Sequence, residues 1–248
     1  NASNIEKDWL WIKKQNKGFV AKISDISEQT ALLAIQGPKA IEAMQSICDE
    51  NLRSLDNYSH ITVNFANCKN ILVAKTGYTG SGGIEIYFDP KYAKKIWDGV
   101  MDAGSSYGIS PAGLAARDTL RLEMGYCLYG NEIDENRCPI SAGLKWITKP
   151  ETFFINYSSY EMKLKSEIKE KLVGFVMDTQ GIPRKGYNIF DNKENLAGKV
   201  TSGTHSPSLK KGIGMGYVSS NFSKIGNKLF IQIREKLLPC TIIKLPFF

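Results

Sequence analysis

The sequence contains few of the side chains that build the commonest catalytic and metal sites. Two histidines, His60 and His205, occur in 248 residues, so a Ser–His–Asp triad or a histidine-rich metal cluster has little to be built from. We predict no metal site. His205 lies among serine, threonine, glycine and proline, which indicates a loop and a structural role rather than an acid–base one.

Cysteine is also scarce and unpaired. The five cysteines are odd in number and form no Cys-x-x-Cys spacing, which argues against a disulfide framework or a zinc site and favours a reducing compartment. We expect each to be a small buried hydrophobic residue, and the protein to be cytoplasmic, or to lie in the mitochondrial matrix if it is eukaryotic. They are Cys48, Cys68, Cys127, Cys138 and Cys240.

Long apolar runs and a single basic stripe are both missing. The apolar runs are a few residues long, far below the ~20 that a membrane-spanning helix needs, so we predict no membrane segment. The formal charge is +7, but the lysines are scattered instead of alternating with aromatic residues, which argues against nucleic acid as a partner. The basic surface suits an acidic partner, or it is a solvated surface with no partner.

The arginine segment, residues 113–134, sets two arginines into the apolar stripe of a predicted helix. At about 100° per residue the stripe consists of Leu114, Arg117, Leu120, Arg121 and Met124. Two like charges one turn apart repel each other, and apolar neighbours add a desolvation cost. The segment therefore predicts an anionic partner or ligand nearby. The alternative is that the arginines snorkel to solvent or pair with Asp118, Glu123 or a carboxylate elsewhere in the chain.

The glycine-rich hairpin, residues 70–88, is predicted to be a strand, a turn and a second strand. Glu85 and Tyr87 share one face of the second strand, and Tyr78 lies in the turn, where glycine lets a flat ligand approach the backbone. An acid beside aromatic rings suits a heterocycle with paired N–H donors. The glycine spacing fits neither a P-loop nor a dinucleotide fingerprint. The alternative is a plain hairpin with an exposed glutamate.

The remaining pattern predicts an α+β protein. Strands and helices alternate over residues 1–158, an exposed helical connector follows at 159–171, and residues 172–248 contain six short strand-like runs that predict a small antiparallel β-barrel. The predicted helices before the arginine segment are 5–14, 39–48 and 90–103. The predicted strands are a short buried strand at 32–36 and a strand pair at 58–65 and 70–76. The predicted barrel strands are 173–177, 187–190, 198–201, 214–218, 228–234 and 240–245.

Five motifs, taken together, resemble one family, the aminomethyltransferases or T-proteins of the glycine cleavage system. They are the arginine segment, the glycine-rich hairpin, Asn-Ala-Ser-Asn at 1–4, Leu-Ala-Ile-Gln-Gly-Pro at 33–38, and Thr-Ser-Gly-Thr-His-Ser-Pro-Ser at 201–208. The resemblance extends over essentially the whole chain. It implies a folate-binding T-protein-like domain, incomplete at its N-terminus, followed by a C-terminal barrel.

The resemblance also implies a reaction. Such enzymes take an aminomethyl group from the lipoyl arm of the H-protein, release ammonia and pass the one-carbon unit to tetrahydrofolate. Tetrahydrofolate would be the substrate and the lipoylated H-protein the partner. The basic surface would suit an acidic H-protein or a polyglutamyl folate tail.

Site residues follow from the same resemblance. It places the pterin-binding glutamate at Glu85, the folate-contacting arginine at Arg117, two site tyrosines at Tyr78 and Tyr126, and a further folate-site residue at Asn1. The family's catalytic aspartate precedes the Asn-Ala-Ser-Asn motif, so we assign no catalytic residue within this chain. We expect the chain to be a fragment with little transfer activity on its own.

Two alternatives remain at this point. One is a folate-binding module without transferase activity, like the iron–sulfur-assembly relatives, but their Lys-Gly-Cys motif is missing from the hairpin. The other is a domain of a folate-dependent sarcosine or dimethylglycine dehydrogenase, which would need an upstream flavin domain. The Leu-Tyr-Gly-Asn run at 128–131 looks closer to the free-standing T-protein.

Overall fold

The computed structural model describes residues 2–152 and 154–248. The chain forms two compact units, one up to Pro111 and the other from Ala112 onward. The predicted domain bounds, 1–158, 159–171 and 172–248, stay predictions.

The first unit is built on an antiparallel sheet with three helices in its sequence. Among the described residues the sheet has the strand order β1-β4-β3-β2. The strands are β1 (Ala31–Gln36), β2 (His60–Phe65), β3 (Cys68–Ala74) and β4 (Gly83–Phe88), and the helices are α1 (Ile5–Gln15), α2 (Ala40–Met44) and α3 (Ala93–Gly104).

Alternation along the strands gives this sheet one buried face. Ile84, Ile86 and Phe88 of β4 are at most 5% exposed, because alternate side chains of a strand point to the same side. Helix α3 buries Ile96 and Val100, one turn apart, in the same core. The face that Ile84, Ile86 and Phe88 share is therefore the core face of β4.

The other face of the sheet is more open. We predicted a buried strand at 32–36, but in β1 only Ile35 is buried and Leu32 is 48% exposed. The prediction was wrong for the side chains that alternate with Ile35, because the helices cover the opposite face. Tyr87 pairs in register with Leu32 of β1 and with Leu72 of β3. These three residues therefore form a row on the open face of the sheet.

The second unit contains two helices and a closed antiparallel barrel. In the described part of this unit the barrel order is β10-β5-β8-β7-β6-β9, which closes because β10 pairs with both β9 and β5. The helices are α4 (Leu114–Glu123) and α5 (Tyr157–Lys165); the strands are β5 (Glu170–Met177), β6 (Asn188–Phe190), β7 (Leu196–Ser206), β8 (Lys211–Ser219), β9 (Lys228–Ile233) and β10 (Lys236–Ile243). The predicted fold class, α+β with a C-terminal antiparallel barrel, is confirmed.

Strand β8 explains how α4 packs on this barrel. Its glycines face inward: a Cβ added at Gly214 would lie 2.6 Å from the ring of Phe175. Its large residues face the other way, and Ile213 and Met215 are fully buried against Leu122 of α4. Small residues inside and large residues outside therefore fix α4 to the outer surface of the barrel.

Two local predictions in this unit were wrong. His205 was expected in a loop, but it lies in β7 and pairs with Gly212 of β8, because the Ser/Thr/Gly-rich stretch continues the ladder up to Ser206. The helical connector was expected to be exposed up to residue 171. Instead α5 ends at Lys165 with Tyr160 buried at 6%, and Glu170 already belongs to β5.

Candidate functional site

The hairpin of β3 and β4 carries Glu85 and Tyr78. Ala74 pairs with Glu85 in register as the last pair before the turn, so Glu85 lies at the turn end of the hairpin. Glu85 and Tyr78 are both half-buried. The predicted strand–turn–strand arrangement is confirmed, and it places Glu85 on the face opposite the buried core.

Gln36 holds the glycine-rich turn together. Its Nε2 donates to the carbonyls of Thr76 and Ile84, at 3.1 and 3.2 Å, and its Oε1 accepts from Thr79 Oγ1 at 3.1 Å. A Cβ at Gly77 would lie 1.9 Å from Gln36 Oε1. The turn therefore requires a residue without a Cβ at position 77, and it requires the glutamine of the 33–38 motif.

Glu85 is oriented by a neighbour on the same hairpin. Thr76 Oγ1 donates a hydrogen bond to Glu85 Oε2. Tyr87, two residues further along the same face, has its pKa raised above the usual value by burial and, secondarily, by the negative charge of Glu85. The carboxylate is thus a fixed acceptor beside an aromatic ring, which suits a planar ligand with N–H donors.

A groove lies beside Tyr87 on this open face. It has a volume of about 750 Å³, and its walls include Trp9, Leu32, Leu72 and Tyr87. Such a mixture of aromatic and aliphatic walls is typical of small-molecule sites. The groove belongs entirely to the first unit.

Helix α4 of the second unit carries Arg117 and Arg121, whose environments differ. Arg117 is exposed, whereas Arg121 is fully buried. The predicted apolar stripe was wrong, because Leu114 is 82% exposed and the buried side is formed by Arg121, Leu122 and Glu123. The expected anionic partner of Arg121 is supplied by the chain itself.

Two carboxylates satisfy Arg121. Its Nε donates to Asp118 Oδ1 at 2.8 Å, and its Nη1 donates to Glu132 Oε2 at 2.9 Å. Asp118 was one of the partners that the sequence suggested, but Glu132, fully buried eleven residues away, was not. Glu132 follows α4 by nine residues and has Asp134 and Glu135 as neighbours, so the sequence alone could not show which of these carboxylates meets the helix.

The motif at 201–208 anchors the same helix to the barrel. Glu123, 2% exposed, accepts hydrogen bonds from the hydroxyls of Ser206 and Ser208, the latter at 3.1 Å. Ser202 Oγ accepts from Arg121 Nη2 at 2.8 Å. The serines of this motif therefore act as partners for buried charges on α4, a role that sequence reasoning missed.

The predicted site residues fall into two groups. Tyr78 and Glu85 share the hairpin of the first unit, and Arg117 and Tyr126 belong to α4 and the turn after it in the second. Tyr126 is 37% exposed. Asn1 lies outside the described residues.

Two negative findings concern the described residues only. No group of three or more His, Cys, Asp or Glu side chains in 2–152 and 154–248 is arranged to hold a metal ion. No helix in the same ranges is both long enough and apolar enough to span a bilayer.

Two family models match the chain. The GCVT N-terminal domain matches residues 1–152, and the glycine cleavage T-protein C-terminal barrel domain matches residues 170–248. Together they cover the hairpin, the arginine segment and the barrel.

Named relatives agree with these matches. The chain is 48% identical to the aminomethyltransferase of Porphyromonas gingivalis over 250 residues and 50% identical to that of Bacteroides fragilis over 249, covering all of this chain and 69% of each relative. The crystal structure of the glycine cleavage system aminomethyltransferase T from Bartonella henselae matches with a TM-score of 0.90 at 30% identity, over all of this chain and 67% of that one.

These similarities favour the transferase prediction over the two alternatives considered from the sequence. Sequence, family models and solved structure agree over the length of the chain. The chain belongs to the glycine cleavage T-protein family of aminomethyltransferases.

Proposed function

We propose that this chain transfers a one-carbon unit from the aminomethyl-lipoyl arm of an H-protein to tetrahydrofolate. The carbon–nitrogen bond of the aminomethyl group breaks to release ammonia, and its carbon–sulfur bond breaks to release the dihydrolipoyl arm. The carbon bonds to N5 and N10 of the folate, whose two N–H protons pass to the leaving amine and the leaving sulfur, giving 5,10-methylenetetrahydrofolate. The observation that carries the proposal is the 45–50% identity to aminomethyltransferases along the whole chain.

Glu85 is the proposed pterin acceptor. A carboxylate can accept two parallel N–H bonds, and the aminopyrimidine edge of a pterin presents two such donors. The hydrogen bond from Thr76 holds the carboxylate in place before the ligand arrives. Preorganisation of this kind lowers the ordering cost of binding.

Arg117, Tyr78 and Tyr126 are the further proposed folate contacts. Arg117 provides an exposed positive charge for the anionic or carbonyl groups of the cofactor. The two tyrosines provide ring area and a hydroxyl. Holding the folate nitrogen against the aminomethyl carbon would be the main contribution of these residues to the rate.

The net charge of the chain supports an acidic partner. A formal charge of +7 would attract an acidic H-protein or a polyglutamyl folate tail over about a Debye length. We propose both as the molecules that this surface meets.

Replacement of Glu85 tests the proposed site. Glu85→Gln keeps the shape of the side chain but turns half of the acceptor pair into a donor, so tetrahydrofolate binding should weaken by about 1–3 kcal/mol. Calorimetry on the full chain measures this. Glu42→Gln, an exposed glutamate on α2, is the matched control and should bind as the wild type does.

An analogue sharpens the same experiment. A tetrahydrofolate lacking the 2-amino group should bind the wild type more weakly than tetrahydrofolate, and Glu85→Gln should lose most of this preference. Equal affinity of wild type and Glu85→Gln for tetrahydrofolate would remove the role from Glu85.

A further inference from the structure

The guanidinium of Arg121 is buried and fully committed to partners within the second unit. In addition to Asp118 and Glu132, it donates from Nη2 to Ser202 Oγ at 2.8 Å and from Nη1 to the carbonyl of Tyr126 at 3.0 Å. A guanidinium has five N–H donors in a rigid plane. Arg121 therefore holds four groups in fixed positions around the plane of its guanidinium. They belong to Asp118, Glu132, Ser202 and Tyr126.

Glu132 uses both of its carboxylate oxygens in the same cluster. Oε2 accepts from Arg121 and from the backbone N–H of Leu128 at 2.9 Å, and Oε1 accepts from Thr201 Oγ1 at 2.7 Å. The side chain of Glu132 is 0% exposed. It connects the turn after α4 to the barrel strand β7.

These bonds converge on the backbone of Tyr126. Its N–H donates to the carbonyl of Arg121 at 2.9 Å, and its own carbonyl accepts from the Arg121 guanidinium. Two residues later, Leu128 is held by Glu132. The backbone at Tyr126 is thus fixed on both sides relative to α4, which also carries Arg117, and the residue itself is 37% exposed.

We propose that Arg121 and Glu132 are positioning residues for the folate site, which act by holding Tyr126 in place. This inference rests on the proposed function, because it takes Tyr126 as a folate contact. Arg121 and Glu132 are both fully buried, so their effect on the ligand passes through the backbone that they hold.

The alternative is a purely structural role, and the affinity for tetrahydrofolate of a variant that stays folded separates the two. Removing one member of a buried ion pair leaves an uncompensated charge and destabilises strongly, whereas replacing both by apolar residues of similar size is often neutral. An apolar pair cannot donate to the Tyr126 carbonyl or accept from the Leu128 N–H. The double variant therefore removes the positioning with the smallest loss of stability.

The experiment uses Arg121→Met combined with Glu132→Leu in the full chain. Thermal unfolding should show a smaller loss in the double variant than in Glu132→Leu alone. At a temperature where wild type and double variant are both folded, the Kd for tetrahydrofolate should rise about tenfold. Glu161→Leu with Lys165→Met, an exposed ion pair on α5, is the control and should leave the Kd unchanged.

A triple variant shows whether the effect passes through Tyr126. Adding Tyr126→Ala to the double variant should cost much less affinity than Tyr126→Ala costs in the wild type, because the contribution of the positioned ring is already lost. Additive losses, or wild-type affinity in a folded double variant, would overturn the positioning role alone. Failure of the wild-type chain to bind tetrahydrofolate would overturn the proposed function, and the positioning role with it.

Discussion

Cys127 and Cys240 show how burial changes the chemistry of single side chains. Cys240 is fully buried in the barrel, and desolvation raises its pKa from 9.0 to about 12. Cys127 is half-buried, and desolvation, followed by the negative charge of Glu132, raises its pKa to about 11. Both thiols therefore stay protonated far above neutral pH, as expected for residues without a nucleophilic role.

Alkylation tests this directly. Because the thiolate is the reactive form, iodoacetamide at pH 8 should modify Cys127 about a hundredfold more slowly in the native chain than in the denatured chain, and Cys240 more slowly still. Peptide mass spectrometry after timed quenching gives the rate at each cysteine. Native rates equal to the denatured ones would contradict the pKa shifts.

The position and burial of a single residue could be predicted only where a motif or a strand pattern indicates them. Glu85 lies on the open face of β4, as alternation predicted, and burial was correct for Cys68 and Cys240 but not for the three half-buried cysteines. The partners of Arg121 could not be predicted, because Ser202 lies 81 residues away and only the fold brings it close.

The β3–β4 hairpin depends on two adjacent glycines in different ways. Gly82 has φ +74° with open space where a Cβ would lie, whereas Gly83 has φ +133° and a Cβ there would lie 2.2 Å from the Ile35 carbonyl. Gly82→Ala should cost about 1–2 kcal/mol from the left-handed backbone alone. Gly83→Ala should cost about 2–4 kcal/mol, since β1 must also move.

Urea denaturation of the two alanine variants measures the difference. Gly82→Ala is the control, because it changes the neighbouring residue without the collision. The same loss of stability in both variants would show that β1 and β4 tolerate the extra carbon. A displaced β4 would also move Glu85, so tetrahydrofolate binding should follow the order of stability.

Helices and strands were predictable where either helical spacing or strand alternation dominates the hydrophobic pattern. All six barrel strands and α1, α3 and α4 overlap their predicted ranges, because alternation and helical spacing are local properties, but β7 is much longer than the predicted 198–201. The buried side of α4 was not, because two of its three buried residues are charged. Hydrophobic periodicity cannot indicate a face whose charges are satisfied by a distant strand.

At the scale of the molecule, the stability of the second unit at high pH depends on three side chains whose pKa values are raised in the folded state. Tyr217 has its pKa raised from 10.0 to about 12, chiefly by burial, and Cys127 and Cys240 are raised as described above. The unfolded chain releases these protons from about pH 9, while the folded chain keeps them. The unfolded state therefore binds fewer protons in this window, and the free energy of unfolding must fall as pH rises from 9 towards 12.

Guanidinium unfolding at pH 8, 9, 10 and 11 measures this slope. Cys127→Ala with Cys240→Ala removes two of the three groups, and this variant should lose less stability than the wild type between pH 9 and 11. Parallel slopes for the two proteins would show that these thiols do not contribute.

The cluster around Arg121 and Glu132 also bears on where this chain can be divided. Thr201 and Ser202 of β7 hold side chains that come from residues before 133. A chimera joined near residue 170 would give the barrel a foreign helix and leave those two hydroxyls facing the wrong neighbours. A junction between Pro111 and Ala112 would keep α4, the turn after it and the barrel together, all from the same parent protein.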